Sequence, residues 1–160
     1  MTTTALPRHR AITGKGTLLI ACIAVSFVPG LIGGRFKPDA WYAALDKSSL
    51  TPPGFVFPIV WTILYAAMGV ALWLFLRARP RHRVLGASLF GLQLVLNGSW
   101  SYLFFGLHRP DLSLIDIGAL WLAIVGVMIV FARTSRSAAL LLAPYLAWVT
   151  FATYLNAAVL

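Results

Sequence analysis

Five apolar segments of about 20 residues each recur along the chain, and their length restricts its fold more than any other feature. They cover about residues 16–34, 57–76, 84–106, 112–132 and 137–158. A helix needs about 20 apolar residues to cross the hydrocarbon core of a bilayer. Charged residues make up only 11% of the 160 residues, whereas about 25% is usual for a soluble domain. We therefore expect an all-α integral membrane protein, a five-transmembrane-helix bundle that forms a single domain over residues 1–160.

The connections between the segments predict how the helices are arranged. Most are short polar turns, so consecutive helices should be antiparallel neighbours. The connection from Arg35 to Phe55 is longer than the others. Pro144 lies inside the fifth segment and predicts a bend there, because proline cannot donate the helical hydrogen bond.

Lys and Arg residues between the segments predict the orientation. Nine lie on the side of the N-terminus and four on the other side. Because basic loops stay in the cytoplasm, we expect a multi-pass protein of a bacterial cell membrane with its N-terminus in the cytoplasm. This distribution explains the net charge of +9 without nucleic acid, which we do not expect as a partner. The nine are Arg8, Arg10, Lys15, Arg77, Arg79, Arg81, Arg83, Arg133 and Arg136, and the four are Arg35, Lys37, Lys47 and Arg109.

Titratable residues that carry most enzyme chemistry are scarce. His9, His82 and His108 have no second ligand at metal-binding spacing, so we expect no metal site and no cofactor. Asp116 is the only ionisable residue that falls inside a segment, about one helical turn from its start. Acids within a membrane are functional candidates by default, but one so near the end of a helix can also reach the interface. The sequence leaves both interpretations open.

Aromatic and amide side chains, in contrast, share faces on three of the expected helices. At helical spacing these faces combine Trp61, Tyr65 and Met68; Gln93, Asn97, Trp100 and Ser101; and Trp148, Ala152, Leu155 and Asn156. Amides are costly in hydrocarbon unless they have partners, so they should point into the bundle. They either join helices by hydrogen bonds or orient a ligand. Together the faces predict a mostly apolar pocket for a large, planar molecule with polar edges.

Several motifs in these regions occur in unbroken order over about residues 30–157. They are Trp41-Tyr42-Ala43-Ala44-Leu45, Pro52-Pro53, the stretch from Phe57-Pro58 through Trp61 and Tyr65 to Met68-Gly69, the stretch from Gln93 through Asn97 and Trp100 to Phe104-Phe105-Gly106, and the stretch from Pro144-Tyr145 through Trp148 to Leu155-Asn156. In these motifs the chain resembles the TspO/MBR family of bacterial tryptophan-rich sensory proteins and the mitochondrial translocator protein. One departure is that many relatives have Trp on both sides of the Pro-Pro pair, where this chain has Leu50 and Phe55.

The resemblance implies a five-helix membrane protein, often a homodimer, that binds porphyrins such as protoporphyrin IX and, in some members, sterols or synthetic ligands. It implies a lid formed by residues 35–55 over a pocket between helices. The ligand-binding residues expected from the resemblance and from the inward faces are Trp41, Trp61, Tyr65, Asn97, Trp100, Phe104, Trp148, Ala152, Leu155 and Asn156, and the lid would include Arg35, Pro52, Pro53 and Phe55.

Three functions follow from the resemblance. The first is a receptor or sensor in the bilayer that binds tetrapyrroles and regulates their levels or a stress response. The second is an enzyme that degrades porphyrin in light and oxygen, with Trp61 and Trp148 as candidates for the reacting residues. The third, least favoured because no internal repeat or intramembrane charge pair is present, is a transporter of tetrapyrroles or sterols.

Overall fold

The computed structural model describes residues 9–160, with side chains from residue 16 onward, and this part of the chain is helical with no strand. Arg8, and the side chains of Arg10 and Lys15, on which the predicted orientation partly rests, lie outside the described residues. The helices are α1 (His9–Gly33), α2 (Ala40–Ala44), α3 (Val56–Arg77), α4 (Arg83–Ser101), which continues in a π-helical turn (Tyr102–Gly106), α5 (Pro110–Ala132), α6 (Arg136–Leu140) and α7 (Ala143–Ala157).

Four helical stretches of the described chain are long and apolar enough to cross a membrane. They are Gly16–Gly33, Val56–Arg77, Pro110–Ala132 and Arg136–Ala157. The stretch formed by α4 is not one of them, although the sequence predicted a span there. Its amides, Gln93 and Asn97, and its Gly and Ser residues lower its hydropathy.

Local interactions explain where the short helices begin. The side chain of Asp39 accepts a hydrogen bond from the backbone N–H of Tyr42 (3.1 Å) and caps α2. Ser135 caps α6 in the same way through the N–H of Ala138 (3.2 Å), as N-cap residues commonly do. Near Pro144, where the sequence predicts a bend, the helix is interrupted between α6 and α7. Pro144 lies in the first turn of α7, where its missing N–H costs nothing.

The contacts between helices show which turns and connections lie at each end of the bundle. At one end the rings of Phe75 in α3 and Phe131 in α5 stack 4.1 Å apart, and Phe90 of α4 lies parallel to Phe131. The turns that follow α3 and α5 therefore lie at this end, which we call the arginine end. The connection 34–55 and the turn 107–109 lie at the opposite end, the lid end.

Candidate functional site

The connection 34–55 is attached to the ends of several helices. Trp41 stacks on the imidazole of His108 at 4.4 Å, and His108 Nε2 lies 3.0 Å from Asp39 Oδ2. Farther along, Ser48 Oγ and Tyr154 Oη of α7 are hydrogen-bonded at 3.1 Å. These contacts hold the connection across the lid end of the bundle.

Hydrogen bonding and burial shift the pKa values of two side chains in this connection, Asp39 and Tyr42. The backbone N–H of Tyr42, helped by the nearby imidazole of His108, holds the pKa of Asp39 below its ordinary value. Burial raises the pKa of the Tyr42 hydroxyl. Asp39 is thus favoured as the charged carboxylate that both caps α2 and faces His108.

Beneath this connection, four of the predicted site residues come together. Trp41 meets the edge of Phe104 (5.7 Å between ring centroids), and Phe104 stacks on Trp100 (4.9 Å). The Trp100 indole N–H donates to Asn156 Oδ1 at 2.9 Å. The same oxygen accepts from Ser113 Oγ, and Asn156 Nδ2 donates to the carbonyl of Pro110. Asn156 therefore joins α7 to α4 and to the start of α5.

A second group lies deeper, around Asn97. Asn97 Oδ1 accepts from the Tyr65 hydroxyl (2.8 Å), and its Nδ2 donates to the Tyr145 hydroxyl (3.0 Å). Tyr145 in turn donates to Gln93 Oε1 (2.8 Å), and Trp61 stacks on Tyr65. Both ends of the Asn97 amide are thus occupied by tyrosine hydroxyls from α3 and α7. This is the geometry of side chains that join helices.

The third feature is an apolar groove of about 490 Å³ between α3 and α7. We call it the α3–α7 groove. It is lined by Val60, Ile63, Leu64, Pro144, Ala147, Trp148 and Phe151. Trp148 also meets the edge of Phe57. Of the ten predicted ligand-binding residues, only Trp148 lines this groove.

The remaining predicted residues do not converge on one cavity. Ala152 packs against the hydrophobic core, and Leu155 is half-buried. In the predicted lid, Pro52 is half-buried, whereas Arg35, Pro53 and Phe55 are exposed. The structure therefore distributes the predicted set among the contacts of the connection 34–55, the Asn97 network and the α3–α7 groove.

The indole N–H groups of four tryptophans differ in whether they donate a hydrogen bond. Those of Trp100 and Trp121 donate to Asn156 and to Thr150 Oγ1. Within the described part of the chain, the N–H groups of Trp61 and Trp148 donate to no acceptor, and both side chains are half-buried. Trp148 is therefore a free hydrogen-bond donor on the wall of an apolar groove.

Asp116, for which the sequence left two interpretations, contacts α4. Its Oδ1 accepts from Ser99 Oγ at 2.7 Å. Its Oδ2 is buried and has no hydrogen-bond partner among the described residues. The carboxyl group thus lies between two helices and is separate from the α3–α7 groove.

Most of the groove residues and the contacts of the connection 34–55 were not predicted from the sequence. Val60 and Leu64 share a helical face, as do Pro144, Ala147 and Phe151, so the spacing was visible. Stripes of aliphatic residues are also what helices present to lipid, and this signal could not distinguish a groove from a lipid-facing surface. The pairing of Asp39 with His108 joins residues 69 positions apart and has no local signal.

The chain is similar to known proteins over most of its length. The TspO/MBR family profile matches residues 18–160. The chain is 46% identical over 147 residues to the tryptophan-rich protein TspO of Chlorobaculum tepidum, which covers 89% of this chain and 93% of that protein. It is 36% identical to the tryptophan-rich sensory protein of Cereibacter sphaeroides, over 88% of this chain and 85% of that protein. It is 38% identical to the human translocator protein, over 78% of this chain and 78% of that protein.

The family profile extends over nearly the whole described chain, including the segments that contribute the contacts of the connection 34–55, the Asn97 network and the groove. Together with several apolar helices of membrane-spanning length, this match identifies an integral membrane protein. The chain belongs to the TspO/MBR family.

Proposed function

We propose that the protein is a membrane receptor that binds a porphyrin-like tetrapyrrole in the α3–α7 groove and thereby senses or regulates tetrapyrrole levels. The observation that carries this proposal is the groove, about 490 Å³ of apolar space with Trp148 on its wall. Sites for ligands of drug size have volumes of about 300–1,000 Å³. A flat macrocycle would stack on the indole ring, while an acceptor at its edge would take the free N–H.

The side chains around the groove favour this class of ligand. All seven lining residues are apolar or aromatic, so the part of the ligand in the groove must be largely uncharged. A porphyrin also carries carboxylates, which need cations or water. The connection 34–55, which leads into α3, supplies exposed Arg35 and Lys37. In the proposal this connection is the lid over the bound ligand.

The proposal includes a fifth span, formed by α4 and its π-helical turn. At about 1.5 Å per residue, residues 83–106 extend about 36 Å, which exceeds the roughly 30 Å of a hydrocarbon core. Gln93 and Asn97 are buried, whereas Val84 and Val95 are exposed. Polar side chains thus turn inward and apolar ones outward, as membrane helices require.

The protein would act as a homodimer in a bacterial cell membrane, with its N-terminus in the cytoplasm. The orientation follows from the positive-inside rule. The relatives named as sensory and translocator proteins favour ligand recognition over a purely structural role.

A binding titration tests this proposal. Protoporphyrin IX added to the purified protein in detergent should quench tryptophan fluorescence saturably. Trp148→Phe keeps an aromatic ring but removes the free N–H, so the Kd should rise about three- to tenfold. Trp121→Phe is the matched control, because its indole is bonded to Thr150 and lies outside the groove. Unsaturable quenching, or equal effects of the two substitutions, would contradict the proposal.

A further inference from the structure

Six arginines surround the arginine end of the bundle. They lie at the end of α3, directly after α5, at the starts of α4 and α6, and in the turn between α3 and α4. All six are exposed: Arg77, Arg79, Arg81, Arg83, Arg133 and Arg136. Stacking of Phe75 on Phe131 joins α3 to α5. A Cβ on Gly86 would lie only 2.4 Å from Phe75 Cζ, so the start of α4 packs equally closely. The six arginines therefore form one surface.

No carboxylate neutralises this surface. The chain has four acids, and Asp39 and Asp46 are in the connection 34–55 at the lid end. Asp116 is the acid nearest to Arg133 along α5, about 25 Å away at 1.5 Å per residue. That separation exceeds the Debye length of about 8 Å in physiological salt. The two ion pairs of the described chain, His108 with Asp39 and Arg109 with Asp111, also lie at the lid end.

The surface lies at the level where helices leave the membrane. Arg77 is the last residue of α3, and its guanidinium lies over the ring of Trp73, 5.0 Å from the ring centroid. Tryptophan is enriched at the boundary between hydrocarbon and headgroups, so this contact holds a cation at headgroup depth. Arg83 begins α4, where the helix dipole adds to the positive potential instead of offsetting it.

We propose that this surface, composed of the six arginines, binds the phosphodiester headgroups of anionic phospholipids. Guanidinium groups form paired hydrogen bonds with phosphate oxygens, and clustered basic residues beside membrane helices attract acidic lipids. Orientation in the membrane requires only an excess of basic residues on one side. Six exposed arginines in and beside two turns at one end of the bundle, with no acid near them, exceed that requirement. The inference is independent of the ligand assigned to the α3–α7 groove.

Native mass spectrometry of the full chain in neutral detergent tests the inference. The protein is mixed with equal amounts of phosphatidylglycerol and phosphatidylcholine that have identical acyl chains. The unmodified protein should retain the anionic lipid at least fivefold more than the zwitterionic one. The double variant Arg81→Gln with Arg133→Gln, one residue from each turn, should reduce this ratio at least threefold.

The variant Arg35→Gln with Lys37→Gln removes the same charge from the lid end and should leave the ratio unchanged. The same control shows whether total charge alone determines retention. No preference in the unmodified protein, or equal losses in the two double variants, would overturn the inference. Displacement of the lipid by millimolar inorganic phosphate would assign the surface to free phosphate. Displacement by an equimolar oligonucleotide would assign it to nucleic acid. Either result would also overturn the inference.

Discussion

Asn97 and Asn156 show how single amides organise this bundle. Asn97 binds Tyr65 and Tyr145, which belong to α3 and α7, and Asn156 joins α7 to Trp100 and Ser113. Because their polar atoms are engaged by protein, these amides fix helix positions. A ligand in the α3–α7 groove therefore meets aromatic and aliphatic side chains beside the network, and the indole of Trp148 is the polar group within its reach.

The first prediction concerns the hydroxyl of Tyr145. Tyr145→Phe removes the donor to Gln93 and the acceptor for Asn97, whose buried atoms then lack partners. Hydrogen bonds between membrane helices contribute about 0.6 kcal/mol on average, so the free energy of unfolding should fall by about 1–2 kcal/mol. Titration with sodium dodecyl sulfate in mixed micelles measures it. Tyr102→Phe, whose hydroxyl has no hydrogen bond within the described chain, is the control, and an equal change in both would refute the prediction.

The second prediction concerns the contact between α1 and α3 at Gly69. A Cβ on Gly69 would lie 2.5 Å from the Cα of Ile23, so the two backbones would have to separate. Overpacking of this kind costs about 1–3 kcal/mol, and Gly69→Ala should destabilise the protein by that amount in the same titration. Gly118→Ala, on α5, meets no atom within 4 Å and should be nearly neutral. Equal destabilisation by Gly118→Ala and Gly69→Ala would show that close backbone contact at Gly69 is not the cause.

Among the helices and connections, the connection 34–55 has the most distinctive attachment. Asp39 and Trp41, two residues apart at the start of α2, both contact His108, while Ser48 reaches Tyr154. The connection is thus held at two points, one in the turn 107–109 and one on α7. His108 itself adopts a positive φ of 54°, a conformation that is uncommon outside glycine and is sustained here by its contacts.

The third prediction is a pH dependence of this attachment. Because the folded pKa of Asp39 is lowered, the stabilisation is complete above its ordinary pKa of about 4 and is lost as the pH falls through the lowered value. Hydrogen exchange of the α2 amides, corrected for intrinsic rates, should therefore accelerate as the medium becomes more acidic than about pH 4.

Two variants distinguish the effect of the Asp39 charge from its role as the N-cap of α2. Asn is also a good N-cap residue, so Asp39→Asn should retain α2 but abolish the acid-dependent change in exchange. Asp46→Asn, also exposed in the same connection, should behave like the unmodified protein. If the pH dependence survives in Asp39→Asn, another group is responsible.

The helical elements were largely predictable and the site was predictable only in part. Apolar length predicted the positions of α3 and α5, because these depend on the composition of one segment. Pro144 predicted a bend, and the structure has a helix interruption just before it. The rotation of each helix about its axis depends on its neighbours. Tyr145 and Trp148 are three residues apart and so about 60° apart around α7, which is enough for one to face Asn97 and the other the α3–α7 groove.

At the scale of the whole molecule, the structure separates two environments along the bundle. The lid end contains the connection 34–55 and its contacts with His108. All four acids of the chain are on this side: Asp39 and Asp46 lie in the connection, and Asp111 and Asp116 lie in the first two turns of α5. The arginine end contains exposed cations without acidic partners. Between them, the α3–α7 groove lies beside helices fixed by the Asn97 network. In our proposals, the groove is a ligand site within the membrane and the arginine end is a charged surface at one boundary.

The central claim is that the ligand occupies the α3–α7 groove, and filling the groove tests it most directly. Ile63 lines the groove and is 63% exposed, so Ile63→Trp should fold normally while occupying ligand space. Ile129 on α5 is similarly exposed, at 53%, and Ile129→Trp is the matched control. The measurement is the Kd for protoporphyrin IX by equilibrium dialysis with absorbance detection. The account predicts at least a tenfold weaker Kd, about 1.4 kcal/mol, for Ile63→Trp alone, and an unchanged Kd in that variant would contradict it.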